Sequence, residues 1–262
     1  MSVKSFNLYI NKKIPSFNKT IEVDSDKSIS IRSFLIAAIS QNKSVVSNVL
    51  ESEDVFSTIN CLKKLGVKIK RVKSGYYKIF GKGLGSLTAK KNKSLNFGNS
   101  GTLARLLIGV ISTTPNLEIN LKGDKSLSKR SMKKLILLMN KFGSTFLPKK
   151  KFNLPFKIIS TNLPIGINYR AGVSAQLKSE VIFAGLNSYG YTEIIEKEKS
   201  RDHTENILLQ NNQSIKIKKG KKKLIRILGK NNLNPININI PGDPSSAAFF
   251  TALTLLNSKS SI

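Results

Sequence analysis

Gly98-Asn99-Ser100-Gly101-Thr102-Leu103-Ala104-Arg105 gathers residue types suited to capturing an anion. Asn99, Ser100 and Thr102 are helix-capping types, and the apolar run at 106–111 continues at helical spacing. A helix start presents unpaired N–H groups and partial positive charge. Glycine lets a ligand approach that backbone closely, and Arg105 adds a planar fork matched to carboxylate or phosphate. A capped core helix would look much the same, so one stretch decides little. The pattern recurs, however. Asp26-Lys27-Ser28-Ile29-Ser30-Ile31-Arg32 precedes an apolar run at 34–39. Gly172-Val173-Ser174-Ala175-Gln176-Leu177-Lys178 precedes one at 181–186, and Gly242-Asp243-Pro244-Ser245-Ser246 precedes one at 247–256.

Arginine marks the same places. The 44 basic residues comprise 37 lysines and 7 arginines, and Arg32, Arg105, Arg130 and Arg201 lie in or beside these stretches. Against a lysine-rich background, a retained arginine suggests bidentate anion binding. Lys27 at a helix start opposes the dipole unless it serves a bound anion; an ordinary exposed lysine is the alternative. Arg130 stands near another expected helix start, with a surface role as its alternative. Ser200-Arg201-Asp202-His203-Thr204-Glu205 sets a histidine among carboxylates, as acid–base chemistry would require. A capping box explains Asp202, Thr204 and Glu205 equally well, and His203 is assigned no proton-transfer role.

The elements that must carry these residues repeat. Ser28, Thr102, Ser174 and Ser245 are separated by 74, 72 and 71 residues, which means an internal repeat. Amphipathic helices are expected at 53–65 and 128–142, ending at Gly66 and Gly143, and a third at 204–210. A hairpin is expected across 67–80 turning at Ser74-Gly75. Strands are expected at 3–14, 19–23 and 117–121, and an edge strand at 152–159 because of Pro155. Each repeat reads βαβαββ. Three fill the chain to about residue 240, and a fourth begins.

Composition narrows the class. A chain of 262 residues supports one or two domains and a sizeable core. The single cysteine, Cys61, excludes an internal disulfide framework and falls inside an expected helix as a small buried group. One histidine and one cysteine leave little for a His/Cys metal site. Neither a signal peptide nor a membrane-length apolar run is visible, so a soluble cytoplasmic protein is expected. The net charge of +29 could announce a nucleic-acid binder. Its scattered lysines, 7% aromatics and absent tryptophan favour a solvated surface instead.

Taken together, six stretches resemble the 5-enolpyruvylshikimate-3-phosphate synthase family, in its bacterial branch often called class II. They are Asp26 through Arg32, Gly98 through Arg105, Gly123-Asp124 through Arg130, Ser174 through Ser179, Ser200 through Glu205, and Pro241 through Ala248. The resemblance implies an inside-out α/β barrel of βαβαββ units. Its domain of residues 26–240 would be complete. Residues 1–25 and 241–262 would belong to a second, discontinuous domain only begun here. It implies transfer of the enolpyruvyl group of phosphoenolpyruvate to the 5-hydroxyl of shikimate 3-phosphate, in a cleft lined by helix starts. No metal or organic cofactor, nucleic acid or membrane is implied, and a monomer is expected.

By resemblance, Lys27 contacts both substrates and is the catalytic candidate. Ser28, Arg32, Ser174, Ala175, Gln176 and Arg201, with Ser200 assisting, hold shikimate 3-phosphate. Gly101, Thr102 and Arg130 face phosphoenolpyruvate. Glyphosate occupies that site in the family, and Gly101 implies a sensitive full-length enzyme. Family members continue well beyond Ile262 and carry acid–base groups there, so little or no turnover is expected of this chain alone. The sister family that uses UDP-N-acetylglucosamine shares fold and chemistry, but its loop cysteine is not matched by Cys61.

Overall fold

The computed structural model describes residues 7, 9, 11–12, 14–90, 93–211, 214–220 and 222–262. The chain forms two compact units, one spanning Asp26–Pro241 and one combining the described residues of 1–25 with Gly242–Ile262. The larger unit opens with α1 (Lys27–Ile39), β1 (Lys43–Ser47), α2 (Glu53–Lys64), β2 (Lys68–Lys73) and β3 (Tyr76–Phe80). A second module follows: β4 (Lys93–Asn96), α3 (Gly101–Ser112), β5 (Glu118–Lys122), α4 (Lys125–Ser128), α5 (Lys133–Lys141), β6 (Thr145–Leu147) and β7 (Phe156–Ile159). The third contains β8 (Asn168–Ala171), α6 (Ala175–Leu186), β9 (Tyr191–Glu196), α7 (His203–Asn211), β10 (Ile215–Lys218) and β11 (Lys223–Leu228). β12 (Asn237–Asn239) completes the unit, and α8 (Pro244–Leu255) belongs to the smaller one.

The three sheets have one topology: β12-β1-β3-β2, β4-β5-β7-β6 and β8-β9-β11-β10. In each, the first pair is parallel and the others antiparallel. The leading strand of the first module therefore comes from the far end of the unit, with Val45 opposite Asn237 and Ser47 opposite Asn239. No strand forms at 19–23, where Asn18 and Ser25 make only isolated bridges. The reason lies in the alternation Ile236-Asn237-Ile238-Asn239-Ile240. Ile236 and Ile240 are buried there, whereas Ile21 is exposed. The expected strand at 3–14 falls largely outside the described residues.

Two further expectations need correction. The helix expected at 128–142 begins only at Lys133, after the separate short helix α4. After α4 the chain turns at 129–132, and Met132 N–H donates to Phe152 O at 2.7 Å. Arg130 thus lies between helices rather than at a helix start. Strand β7 is interior, between β5 and β6. Pro155 precedes its first paired residue, Phe156, so the missing N–H removes no ladder bond.

Helices sit inside and sheets outside. α1, α3 and α6 are buried on most sides, as helices that are apolar nearly all round must be. α3 packs on both α6 and α1. The α3–α6 approach is close at Gly109, where a Cβ would lie 2.6 Å from Glu180 O and 3.1 Å from its Cγ. Backbone cannot move aside as a flexible side chain can. Gly109→Ala is therefore expected to destabilise the larger unit by about 1–3 kcal/mol, read as a lower urea midpoint.

In the smaller unit, Asp243 caps α8 by accepting from Ser245 N–H at 2.8 Å, and Pro244 occupies its first turn. Phe249 and Leu255 of this helix, and Leu256 at its C-terminal cap, are exposed. Among the described residues, no helix is long and apolar enough to cross a membrane.

Candidate functional site

The repeated caps set the site. Asp26 Oδ1 accepts from Ile29 N–H at 2.7 Å, Ser100 Oγ from Leu103 N–H at 3.3 Å, and Ser174 Oγ from Leu177 N–H at 3.3 Å. These three caps are each 74 residues apart. Ser28 and Thr102 stand in the first helical turns, two residues beyond the cap. Each inner helix thus begins with a satisfied cap and N–H groups free to meet an anion.

Arg32, one turn into α1, is buried. Its Nε donates to Thr204 Oγ1 at 2.9 Å, its Nη1 to Ser28 O at 3.1 Å and its Nη2 to Ser179 Oγ at 3.4 Å. Thr204 passes its own hydrogen to Ser179 Oγ at 2.8 Å, and Ser179 donates to Ala175 O at 2.8 Å. The chain of donors is consistent, and two of the five guanidinium N–H groups have no partner among the described residues. Burial lowers the Arg32 pKa to about 10, with Asp26 and Glu205 opposing and Arg201 assisting. The group stays charged at neutral pH.

A second cationic corner lies at the start of α3. Arg105 Nη1 donates to Gly101 O at 3.2 Å, and Arg130 Nη2 to Asn99 Oδ1 at 3.3 Å. A Cβ on Gly101 would sit 2.9 Å from Arg105 Nη1 and 3.1 Å from Arg130 Nη1. Two guanidiniums therefore converge on a helix start. Gln176 Nε2 donates to Thr102 Oγ1 at 3.0 Å and joins the starts of α6 and α3. One run of contacts leads from Arg32 through Ser179 and α6 to Gln176, Thr102, Gly101 and Arg130. Lys27, at the start of α1, forms an ion pair with Asp54 of α2 at 3.0 Å. Arg201 is exposed at the start of the segment entering α7.

The capping-box reading of 202–205 does not hold. Thr204 and Glu205 are buried: Thr204 serves Arg32, and Glu205 pairs with Lys178 at 2.8 Å. His203 is neutral in character, its pKa lowered by burial and then by Arg32, and its Nδ1 has no partner among the described residues. Glu196 also pairs with Lys178 at 2.8 Å. Burial pushes the Glu196 carboxyl up, but hydrogen bonds from Lys178 and Ser200 prevail and hold it below the ordinary range.

Sequence reasoning passed over Ser179, the partners of Lys178, and Glu180. The available signal was charge inside an apolar helix, Leu177-Lys178-Ser179-Glu180-Val181. Glu180 is fully buried, and neither carboxyl oxygen has a partner among the described residues. Burial drives its pKa well above the ordinary value, and Arg105 only partly opposes this. Cys61 is buried and its thiol is pushed up to about 12 by burial, which excludes it as a reactive loop cysteine.

Comparison with known proteins identifies the family. Residues 12–262 match the family model for EPSP synthase (3-phosphoshikimate 1-carboxyvinyltransferase). The chain is 38% identical over 246 residues to the 3-phosphoshikimate 1-carboxyvinyltransferase of Parvibaculum lavamentivorans, covering 93% of this chain and 54% of that protein. It is 40% identical over 256 residues to that of Sulfurihydrogenibium sp., covering 96% and 58%. An EPSP synthase structure from Acinetobacter baumannii aligns with a TM-score of 0.82 and 35% identity, over 92% of this chain and 54% of that one. The chain spans about half the length of the curated relatives it matches. With a family match across nearly all its residues and a shared fold of helices inside three repeated sheets, this chain belongs to the EPSP synthase family.

Proposed function

We propose that this chain carries the shikimate-phosphate side of an enolpyruvyl transferase. The reaction joins the 5-hydroxyl of shikimate 3-phosphate to the enol carbon of phosphoenolpyruvate as its methylene is protonated. The tetrahedral adduct then expels phosphate, leaving 5-enolpyruvylshikimate 3-phosphate. In this reading Lys27 meets both substrates. Ser28 and Arg32 hold the phosphate ester, Ser174, Ala175 and Gln176 line the shikimate ring, and Arg201 assists at the phosphate. Gly101, Thr102 and Arg130 face phosphoenolpyruvate. Fixed cations and helix starts stabilise charge that builds on phosphate and carboxylate. The protein would act in the cytoplasm as a monomer.

The observation that carries this reading is the contact run from the buried Arg32 to Arg130 across three capped helix starts. NMR titration of the 262-residue chain tests it. Shikimate 3-phosphate is expected to bind saturably, and shikimate, lacking the ester, much more weakly. Equal response to both, or to neither, would remove the phosphate role of Arg32. UDP-N-acetylglucosamine serves as the competing ligand and is expected to leave the spectrum unchanged.

Gly101→Ala gives a second check. The added methyl must displace the ends of Arg105 and Arg130. Phosphoenolpyruvate affinity, measured in the presence of shikimate 3-phosphate, is expected to fall by about tenfold, or 1.4 kcal/mol. Affinity for shikimate 3-phosphate should stay within about twofold. Equal losses for both ligands would contradict the placement.

A further inference from the structure

Behind Arg32, α6, β9, α7 and β11 meet through four ionisable side chains. Lys178 Nζ lies 2.8 Å from Glu196 Oε1 and 2.8 Å from Glu205 Oε1. Lys223 Nζ lies 3.5 Å from Glu196 Oε2 and 3.4 Å from Glu205 Oε1. Lys178 and both carboxylates are buried, and Lys223 is partly exposed. Two cations thus balance two carboxylates. A desolvated group of this kind adds little stability over apolar packing, so its placement points to orientation.

The orientation is visible at both ends of one segment. Glu196 Oε1 also accepts from Ser200 N–H at 3.0 Å and from Ser200 Oγ at 2.6 Å. Ser200 immediately precedes Arg201. At the other end, Glu205 follows Thr204, whose hydroxyl receives Arg32 Nε. Lys178 therefore grips the segment 200–205 from both sides. With its one hydroxyl hydrogen given to Glu196, Ser200 can meet a ligand only as an acceptor.

We propose that Lys178 is a positioning residue that, by fixing Glu196 and Glu205, sets the Ser200–Arg201 segment and Thr204. Through them it aims Arg201 and Arg32 at one phosphate. The ligand half of this statement rests on the shikimate 3-phosphate reading of the site; the fixing of Ser200 does not. Ser200 on this account anchors the segment and donates nothing to the anion.

The test uses the 262-residue chain with two replacements. Lys178→Met alone would leave two buried carboxylates sharing Lys223 and risks unfolding. Lys178→Met combined with Glu205→Gln keeps volume and charge balance and leaves Glu196 to Lys223. Glu196→Gln is the milder second variant. For either, the Ser200 amide is expected to exchange its hydrogen at least about tenfold faster in the unliganded chain. The dissociation constant for shikimate 3-phosphate is expected to rise at least about tenfold. The Gly75 amide, held by Glu51 Oε1 at 3.0 Å in another sheet, should exchange as before. Unchanged Ser200 exchange in the folded variants overturns the proposal whatever binding does, and so does wild-type affinity in a variant with a loosened Ser200. If the wild-type chain itself fails to bind, the ligand assignment falls, and the exchange measurement alone decides whether Lys178 fixes the segment.

Discussion

Arg32→Met is expected to weaken shikimate 3-phosphate binding by about two to four orders of magnitude on calorimetric titration, while Arg32→Lys recovers no more than about tenfold. Three guanidinium N–H groups are engaged with Thr204, Ser28 and Ser179, and two are left for the ligand. Charge-assisted bonds contribute about 1.5–3 kcal/mol each, and each 1.4 kcal/mol is tenfold in affinity. Lysine restores a charge, but as a point on a flexible stem it cannot keep Thr204 and Ser179 engaged and also present a fork. Stability should change less than affinity, because removing Arg32 also removes the cost of burying its charge. Near wild-type affinity in Arg32→Lys would mean that charge alone, and not planar geometry, is recognised.

Glu180→Leu is expected to stabilise the chain by about 1–3 kcal/mol at neutral pH, measured as a higher denaturation midpoint. The carboxyl is buried without a hydrogen-bond partner among the described residues, between Arg105 of α3 and Tyr169 of β8. Its folded pKa is raised well above 4.5. From 4.5 up to that value the folded state holds the extra proton, so wild-type stability falls with rising pH across this window. Glu180→Gln removes the titration but keeps a buried polar group. It should abolish the slope with a smaller gain at neutral pH. His203 acts in the opposite sense. Its lowered pKa makes stability rise with pH up to 6.5, so the difference between wild type and variant isolates Glu180. Glu196, whose pKa is lowered, loses its contribution only as pH falls below 4.5. A difference curve flat from pH 4.5 upward would show that Glu180 is neither buried nor protonated in solution.

What could be read from the chain was local. The caps, the inner apolar runs and the hairpin at 67–80 depend on residues within a few positions of one another, and the repeat amplified each signal. Gly66 and Gly143, both at positive φ, end their helices where a side chain would be strained. The arginines stood out because lysine is so abundant. Features that depend on distant partners were not legible. Strand β12 pairs with β1 across 192 residues, and the same sequence distance separates Asn48 Nδ2 from Ile240 O. The break between α4 and α5 answers to Phe152, not to the local helical pattern. Thr204 and Glu205 fit a capping box until α6 and α1 provide partners. Glu180 was readable only as a charged residue in an apolar run, and a lone run does not say which neighbour crowds it.

Strand β12 also bears on how the polypeptide matures. The second and third sheets are each contiguous in sequence and can close as soon as their own residues emerge during synthesis. The first sheet must wait for residues 237–239, so its β1 edge stays open while nearly two hundred further residues are added. The earliest-made module is thus the last to be completed. During that interval the nascent chain offers an unpaired parallel edge, a natural point for chaperone capture or for mispairing between neighbouring chains.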